Sequence, residues 1–179
     1  MIFEGEDDLT AHDEVIGAFS LSFINVFLAT ENGMDLYELF DRDGDLFDFF
    51  EAAFDIESQV FNKQLAEALH DVSLKGLHGN VLFVNRIGIV PEYRNQKIGR
   101  YVLKTIIEKY SKGTQVIAIN PVPFEFNISH IKLTEIDWAE TDTETDKSKL
   151  RELYGKVGFE RIPGGNYMVL NKENKLPEI

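Results

Sequence analysis

Arg94-Asn95-Gln96-Lys97-Ile98-Gly99-Arg100 puts three cations and a glycine into one short turn of chain. Guanidinium and ammonium groups donate to phosphate oxygens, and a glycine lets the backbone come close to them. Among the other side chains that could hold or move a proton are a tyrosine and an asparagine. Tyr154 carries a phenol of reference pKa about 10, protonated at neutral pH and able to donate to an anionic leaving group. Asn85 interrupts an apolar run and could hold a water, although it cannot itself take a proton. His12, His70, His78 and His130 lack metal-ligand spacing. Asp41, Asp43 and Asp45 fall short of a calcium loop, because Gly44 stands fourth rather than sixth and Ala52 replaces the twelfth-position glutamate. A turn with helix-capping aspartates fits them better. There is no cysteine, which excludes disulfides, thiolate metal sites and cysteine nucleophiles, and no G-x-S-x-G elbow occurs. No metal is expected.

These groups must be positioned by the elements around them. Val81 to Val90 is apolar and β-branched apart from Asn85, Arg86 and Gly88, the composition of a largely buried strand, and Pro91 ends it. From Gln96 onward, Ile98, Tyr101, Val102, Thr105, Ile106 and Tyr110 share one helical face, while Lys97, Arg100, Lys104 and Lys109 fall outside it. Gly113 follows as the expected left-handed stop. A strand that turns through basic residues into a helix aims backbone N–H groups and the positive helix end at one point, which suits phosphate. Neither G-x-G-x-x-G nor G-x-x-x-x-G-K-S/T occurs, so this is neither common phosphate loop.

Preceded by Ile87-Gly88-Ile89-Val90-Pro91-Glu92-Tyr93, the turn resembles the acyl-CoA motif of the GNAT superfamily of N-acyltransferases, with core pattern Q/R-x-x-G-x-G/A. Gln96 and Gly99 match. Tyr101 stands where the family prefers Gly or Ala, and Asn95 and Lys97 stand where many members carry glycine. Leu153-Tyr154-Gly155-Lys156-Val157-Gly158-Phe159 resembles the family's second signature, a tyrosine ahead of Gly-Phe. The resemblance spans about Val81 to Leu170. It implies one α/β domain with a mixed central sheet, splayed parallel strands and flanking helices, the splayed pair being the strand before the helix and Thr114 to Asn120 after it. It also implies acetyl-CoA as acyl donor and co-substrate. The pantetheine arm would lie between Ile87, Ile89 and Val90 on one side and Asn120 on the other, with a backbone N–H of Ile89 or its neighbour on the thioester carbonyl. The pyrophosphate would rest on N–H groups from Gln96 through Ile98 and Gly99 to Arg100, with Asn95 in the turn and Arg94, Lys97 and Arg100 adding charge. Tyr154 would be the general acid.

Length and composition agree with a single soluble domain: 179 residues, 44% hydrophobic and 27% charged. The longest apolar run, Phe19 to Ala29, is too short and too polar for a membrane helix, and the first residues are acidic where a signal peptide is basic, so a cytoplasmic protein off the membrane is expected. The net charge of -13 disfavours nucleic acid. Residues 1 to 70 hold seventeen of the 31 acids against only Arg42 and Lys63, near minus fifteen; the remainder is near plus two. An acidic half beside a basic loop suggests two clients, or acids that simply solvate a helical surface.

The rest of the chain is expected as a loose start over residues 1–13, an extended Glu14 to Leu28, two phenylalanine-rich helices over Asp35 to Phe54, and a polar helix from Ile56 to Asp71. Residues 1–75 thus form an acidic, mostly helical acceptor side, and 80–171 the acyl-CoA core. Ala139 to Asp146 is expected as a solvated loop, Lys147 to Val157 as a short helix, and 158–162 with 166–170 as a hairpin about Pro163-Gly164-Gly165.

The function expected is transfer of an acetyl or related acyl group from acetyl-CoA to a primary amine, on a small molecule or a protein and cationic by the charge argument. A homodimer is compatible with all of this. The inward positions of the central strand, Phe83, Asn85 and Ile87, hold no base, which leaves a water on Asn85 or a carboxylate from the acidic half. For the same reason a non-catalytic GNAT-like module binding CoA or a protein stays open, as does an acidic interaction protein without CoA.

Overall fold

A computed structural model describes residues 15–126, 138–140, 144–173 and 176–177. The expectations for residues 1–13, and for the part of the solvated loop at 141–143, lie outside the described residues.

Strand β1 (Gly17–Ile24) runs into helix α1 (Val26–Glu31), because Asn25 turns the chain and its side-chain oxygen accepts the N–H of Leu28. The strand-like Phe23 to Phe27 is therefore cut in two. Helices α2 (Leu36–Phe40) and α3 (Gly44–Ala53) follow as expected. Asp43 caps α3, accepting the N–H groups of Asp45 at 2.9 Å and Leu46 at 3.4 Å. The long polar helix expected from Ile56 does not form. Its first part is instead the short hairpin of β2 (Phe54–Asp55) and β3 (Val60–Phe61), and only α4 (Lys63–Ala68) is α-helical. Asp55 takes the N–H and hydroxyl of Ser58, closing a turn that propensity alone does not show.

The centre is β4 (Val81–Ile89), a 3-10 turn at Pro91–Tyr93, α5 (Ile98–Tyr110) and β5 (Val116–Ile119), with β4 and β5 parallel. Phe124–Phe126 and Trp138–Glu140 pair as β6 and β7, so Ala139 and Glu140 belong to a strand rather than a loop. Helix α6 (Glu144–Gly155) starts earlier than expected, and β8 (Glu160–Arg161) and β9 (Met168–Asn171) form the closing hairpin. The main sheet is mixed and five-stranded, in the order β1-β4-β5-β9-β8.

Side chains alternate across it. Val81, Phe83, Val116, Ala118 and Val169 face the phenylalanine-rich α1 to α4 side, where Phe40, Phe49, Phe50, Phe54 and Phe61 pack ring against ring. Leu82, Val84, Ile117, Ile119 and Leu170 face Leu103, Ile106 and Ile107 of α5 and Tyr154 of α6. Each fully buried aromatic contributes roughly 1.5–3 kcal/mol, so the acidic half is fastened to the sheet by apolar contact despite its charge.

Candidate functional site

Two features of β4 shape the site. Its parallel pairing to β5 stops at Val84 opposite Ile119, while its antiparallel pairing to β1 continues to Ile89. From Asn85 onward one side of β4 therefore has no neighbouring strand in the sheet. Second, Ser20 faces Arg86 but Leu21 faces Val84, leaving Asn85 as the extra residue of a β-bulge. The bulge shifts the alternation by one. Asn85 stays with Phe83 on the α3 side, bonded to two β1 serines, while Ile87 turns to the α5 side with Leu82 and Val84. Phe83, Asn85 and Ile87 thus do not share a face, contrary to the expectation from strict alternation.

Backbone direction follows from the same register. The N–H of Val90 donates to Ile16 at 2.9 Å, so Gly88 and Val90 point their amides at β1, and Ile87 and Ile89 point theirs to the open side. The carbonyl of Ile89 accepts from Arg94 Nε at 2.9 Å, which pins the turn to the strand end.

The turn itself is unusual backbone. Asn95 (φ 62°) and Lys97 (φ 64°) are both left-handed, the conformation glycine adopts most readily. No described residue accepts a hydrogen bond from the backbone N–H groups of Asn95 to Gly99; that of Arg100 is already used, donating to Lys97 at 3.1 Å. Lys97 caps α5 with no side-chain bond, and the first turn holds no acid. Lys97 and Arg100 lie at the positive end of the α5 dipole, which favours an anion. A Cβ built on Gly99 meets nothing within 4 Å.

A cavity of about 710 Å³ gathers these pieces, a size typical of small-molecule sites. Ile87 to Ile89 form one wall, Arg94, Asn95 and Lys97 to Arg100 a second, and α6 from Asp146 to Lys156 a third, with Pro123 and Phe124 at the side. The guanidinium of Arg86 sits over the Phe124 ring at 5.1 Å. Tyr154 lines the cavity although only 5% exposed, and burial pushes its phenol well above the usual range.

Of the residues singled out in the sequence, the cavity unites Ile87, Ile89, Arg94, Asn95, Lys97, Ile98, Gly99, Arg100 and Tyr154. Four lie elsewhere. Val90 is buried against β1; Gln96 Nε2 donates to the Glu92 carbonyl at 3.2 Å. Asn85 Nδ2 donates to Ser20 Oγ at 3.2 Å and Ser22 Oγ at 3.0 Å. Asn120 Nδ2 donates to Asp45 Oδ1 at 3.2 Å, tying the end of β5 to α3. Tyr101, 68% exposed, points away from the cavity.

Sequence reasoning missed the Asp45 contact. Asp45 lies between the cap of α3 and the sheet: Asn120 holds its carboxylate, and Tyr167 Oη donates to its carbonyl at 2.8 Å. The Tyr167 phenol is held up by burial and by Asp45, Asp48 and Asp43. No local signal distinguishes Asp45 from Asp41 and Asp43, because its partner is 75 residues away. Compared with family models, with curated proteins and with solved structures, the chain matches none.

Proposed function

We propose that the protein binds acetyl-CoA in this cavity and transfers the acyl group to an amine, with the opening beside β4 as the splay that admits the pantetheine arm. One observation carries the reading. The N–H groups of Asn95, Lys97, Ile98 and Gly99, accepted by no described residue, belong with Arg94, Lys97, Arg100 and the Ile87 and Ile89 amides that point away from β1 to residues lining one cavity. The first set suits a pyrophosphate and the second a carbonyl oxygen that gains charge, as a tetrahedral intermediate requires.

The reaction balances simply. The amine nitrogen adds to the thioester carbon, the carbonyl oxygen gains charge against the Ile87 or Ile89 amide, and the C–S bond breaks to leave CoA thiolate and an amide. Tyr154 supplies a hydrogen bond to that sulfur. With its pKa raised it is a weaker acid than a thiol, so it stabilises the thiolate rather than transferring its proton completely. For the amine proton we favour the carboxylate of Asp45, which lies outside the cavity and is bonded to Asn120 just past β5, over a water on Asn85, whose amide is engaged by the two serines.

That engagement also favours a second reading, a CoA-binding module without transfer, since no described base lies on the cavity wall at β4. Incubation with acetyl-CoA and a panel of primary amines, followed by thiol release and product mass, tests the proposal. Amide formation above background supports transfer; binding without turnover supports the module; no binding ends both.

A further inference from the structure

At the far edge of the sheet, β1 pairs only with β4 among the described residues, none of which forms a strand against its outer side. The register that turns Ala18 and Ser20 toward β4 turns the amides and carbonyls of Gly17, Phe19, Leu21 and Phe23 outward. Natural edges are guarded by Lys, Pro or short length. This one has none of these guards: β1 is eight residues long, and Val15 to Thr30 is sixteen residues without a charge or a proline, in a chain of net charge -13. Phe19 is 44%, Phe23 43% and Phe27 42% exposed, and the Phe19 ring lies 6.2 Å from that of Tyr110 on α5.

We propose that β1 is a dimer interface, in which two copies of this chain pair their β1 strands antiparallel about a two-fold axis and join two five-stranded sheets into one of ten. Three observations select a second copy as the occupant. An antiparallel strand is its own complement, presenting the same donors and acceptors after a half-turn. The uncharged stretch is where two strongly acidic chains can meet without opposing like charges. Phe19, Phe23, Phe27 and Tyr110 together offer on the order of 300 Å² of aromatic surface per copy, a sizeable share of the ~800 Å² per partner of a standard interface. The proposal is independent of the transfer chemistry.

Sedimentation of the full chain at tens of micromolar tests it, alongside amide exchange at Phe19, Leu21 and Phe23. The expected wild-type mass is near 41 kDa, twice the 20.5 kDa chain, with those amides protected. Phe19→Lys with Phe23→Lys should weaken dimerisation at least tenfold and expose the amides while circular dichroism stays unchanged. Should that double variant misfold, Phe23→Pro removes one outward N–H and leaves the β4 ladder intact, and should have the same effect. A monomeric wild type overturns the proposal: fast-exchanging amides would mean an open edge, and protected ones a cover supplied by the same chain. A dimer that survives both variants would form elsewhere and also overturn it.

Discussion

Asn95 and Lys97 adopt left-handed backbone in a turn whose N–H groups, from Asn95 to Gly99, no described residue accepts. Asparagine tolerates this conformation; for lysine it costs about 1 kcal/mol or more. Lys97→Gly should therefore stabilise the fold by about 1 kcal/mol in urea unfolding yet weaken CoA binding, because it removes a cation. A stability loss would mean that the Lys97 side chain supports the turn. Gly99 is the converse case. Gly99 lines the cavity and a Cβ there meets nothing within 4 Å, so Gly99→Leu should fold normally and lose CoA affinity. Tyr154→Phe keeps the buried ring and its contact with Phe159. It should lower kcat roughly tenfold to a hundredfold, the loss of one hydrogen bond to a charged group, with stability little changed. The sign of the pKa shift makes this sharper: a raised pKa keeps the phenol protonated beyond pH 10, so the variant should be slower across pH 6 to 10 without moving the alkaline limb. A limb present in wild type and absent from Tyr154→Phe would show that the phenol ionises in that range.

At the scale of elements, the strand-turn-helix-strand unit was legible because its information is local: β-branched residues, a proline stop, apolar spacing of three and four, and a glycine beyond the helix. The closing hairpin was legible for the same reason. What failed was set by distant partners. The bulge at Asn85 exists only against β1, 63 to 65 residues away, and it moves Ile87 to the other face of the sheet. The hairpin at Phe54 to Phe61 reads as helix until Phe61 is seen packing on Phe54 across it. Nine of the nineteen residues lining the cavity were named from the strand end, one turn and one tyrosine, whereas Asp45 and the rest of the α6 wall needed the tertiary fold. Asn85 now has a structural role that can be measured. Asn85→Ala strands two part-buried serine hydroxyls and should destabilise the protein by roughly 1–3 kcal/mol. If it instead leaves stability unchanged and abolishes turnover, Asn85 holds a reactant rather than the bulge.

Across the whole molecule, charge and apolar surface are segregated. The acids concentrate in residues 1 to 70, and the cations at the start of α5 lie on the opposite face of the sheet from the phenylalanine core. The three aspartates near α3 are not equivalent: Asp43 caps the helix, Asp45 is bonded to Asn120 and Asp41 is exposed. Reversing all three would confound substrate recognition with loss of the cap, so Asp45→Asn is the cleaner variant. If Asp45 receives the acceptor's proton, that variant should lower kcat for a cationic amine while CoA affinity stays constant. Added salt should raise the acceptor's KM more than it slows saturated turnover, because exposed acids are screened over about 8 Å at physiological strength. Kinetics indifferent to both would reduce the acidic half to a solvated surface.

The central claim is that the turn from Arg94 to Arg100 holds the pyrophosphate of a CoA thioester. Calorimetric titration of acetyl-CoA into wild type and Gly99→Leu, beside a pantetheine fragment lacking the nucleotide, addresses it most directly. Saturable 1:1 binding of acetyl-CoA to wild type, lost in Gly99→Leu, is expected, with much weaker binding of the fragment to both. Equal affinity of acetyl-CoA for the two proteins, or no binding to the folded wild type, would contradict it.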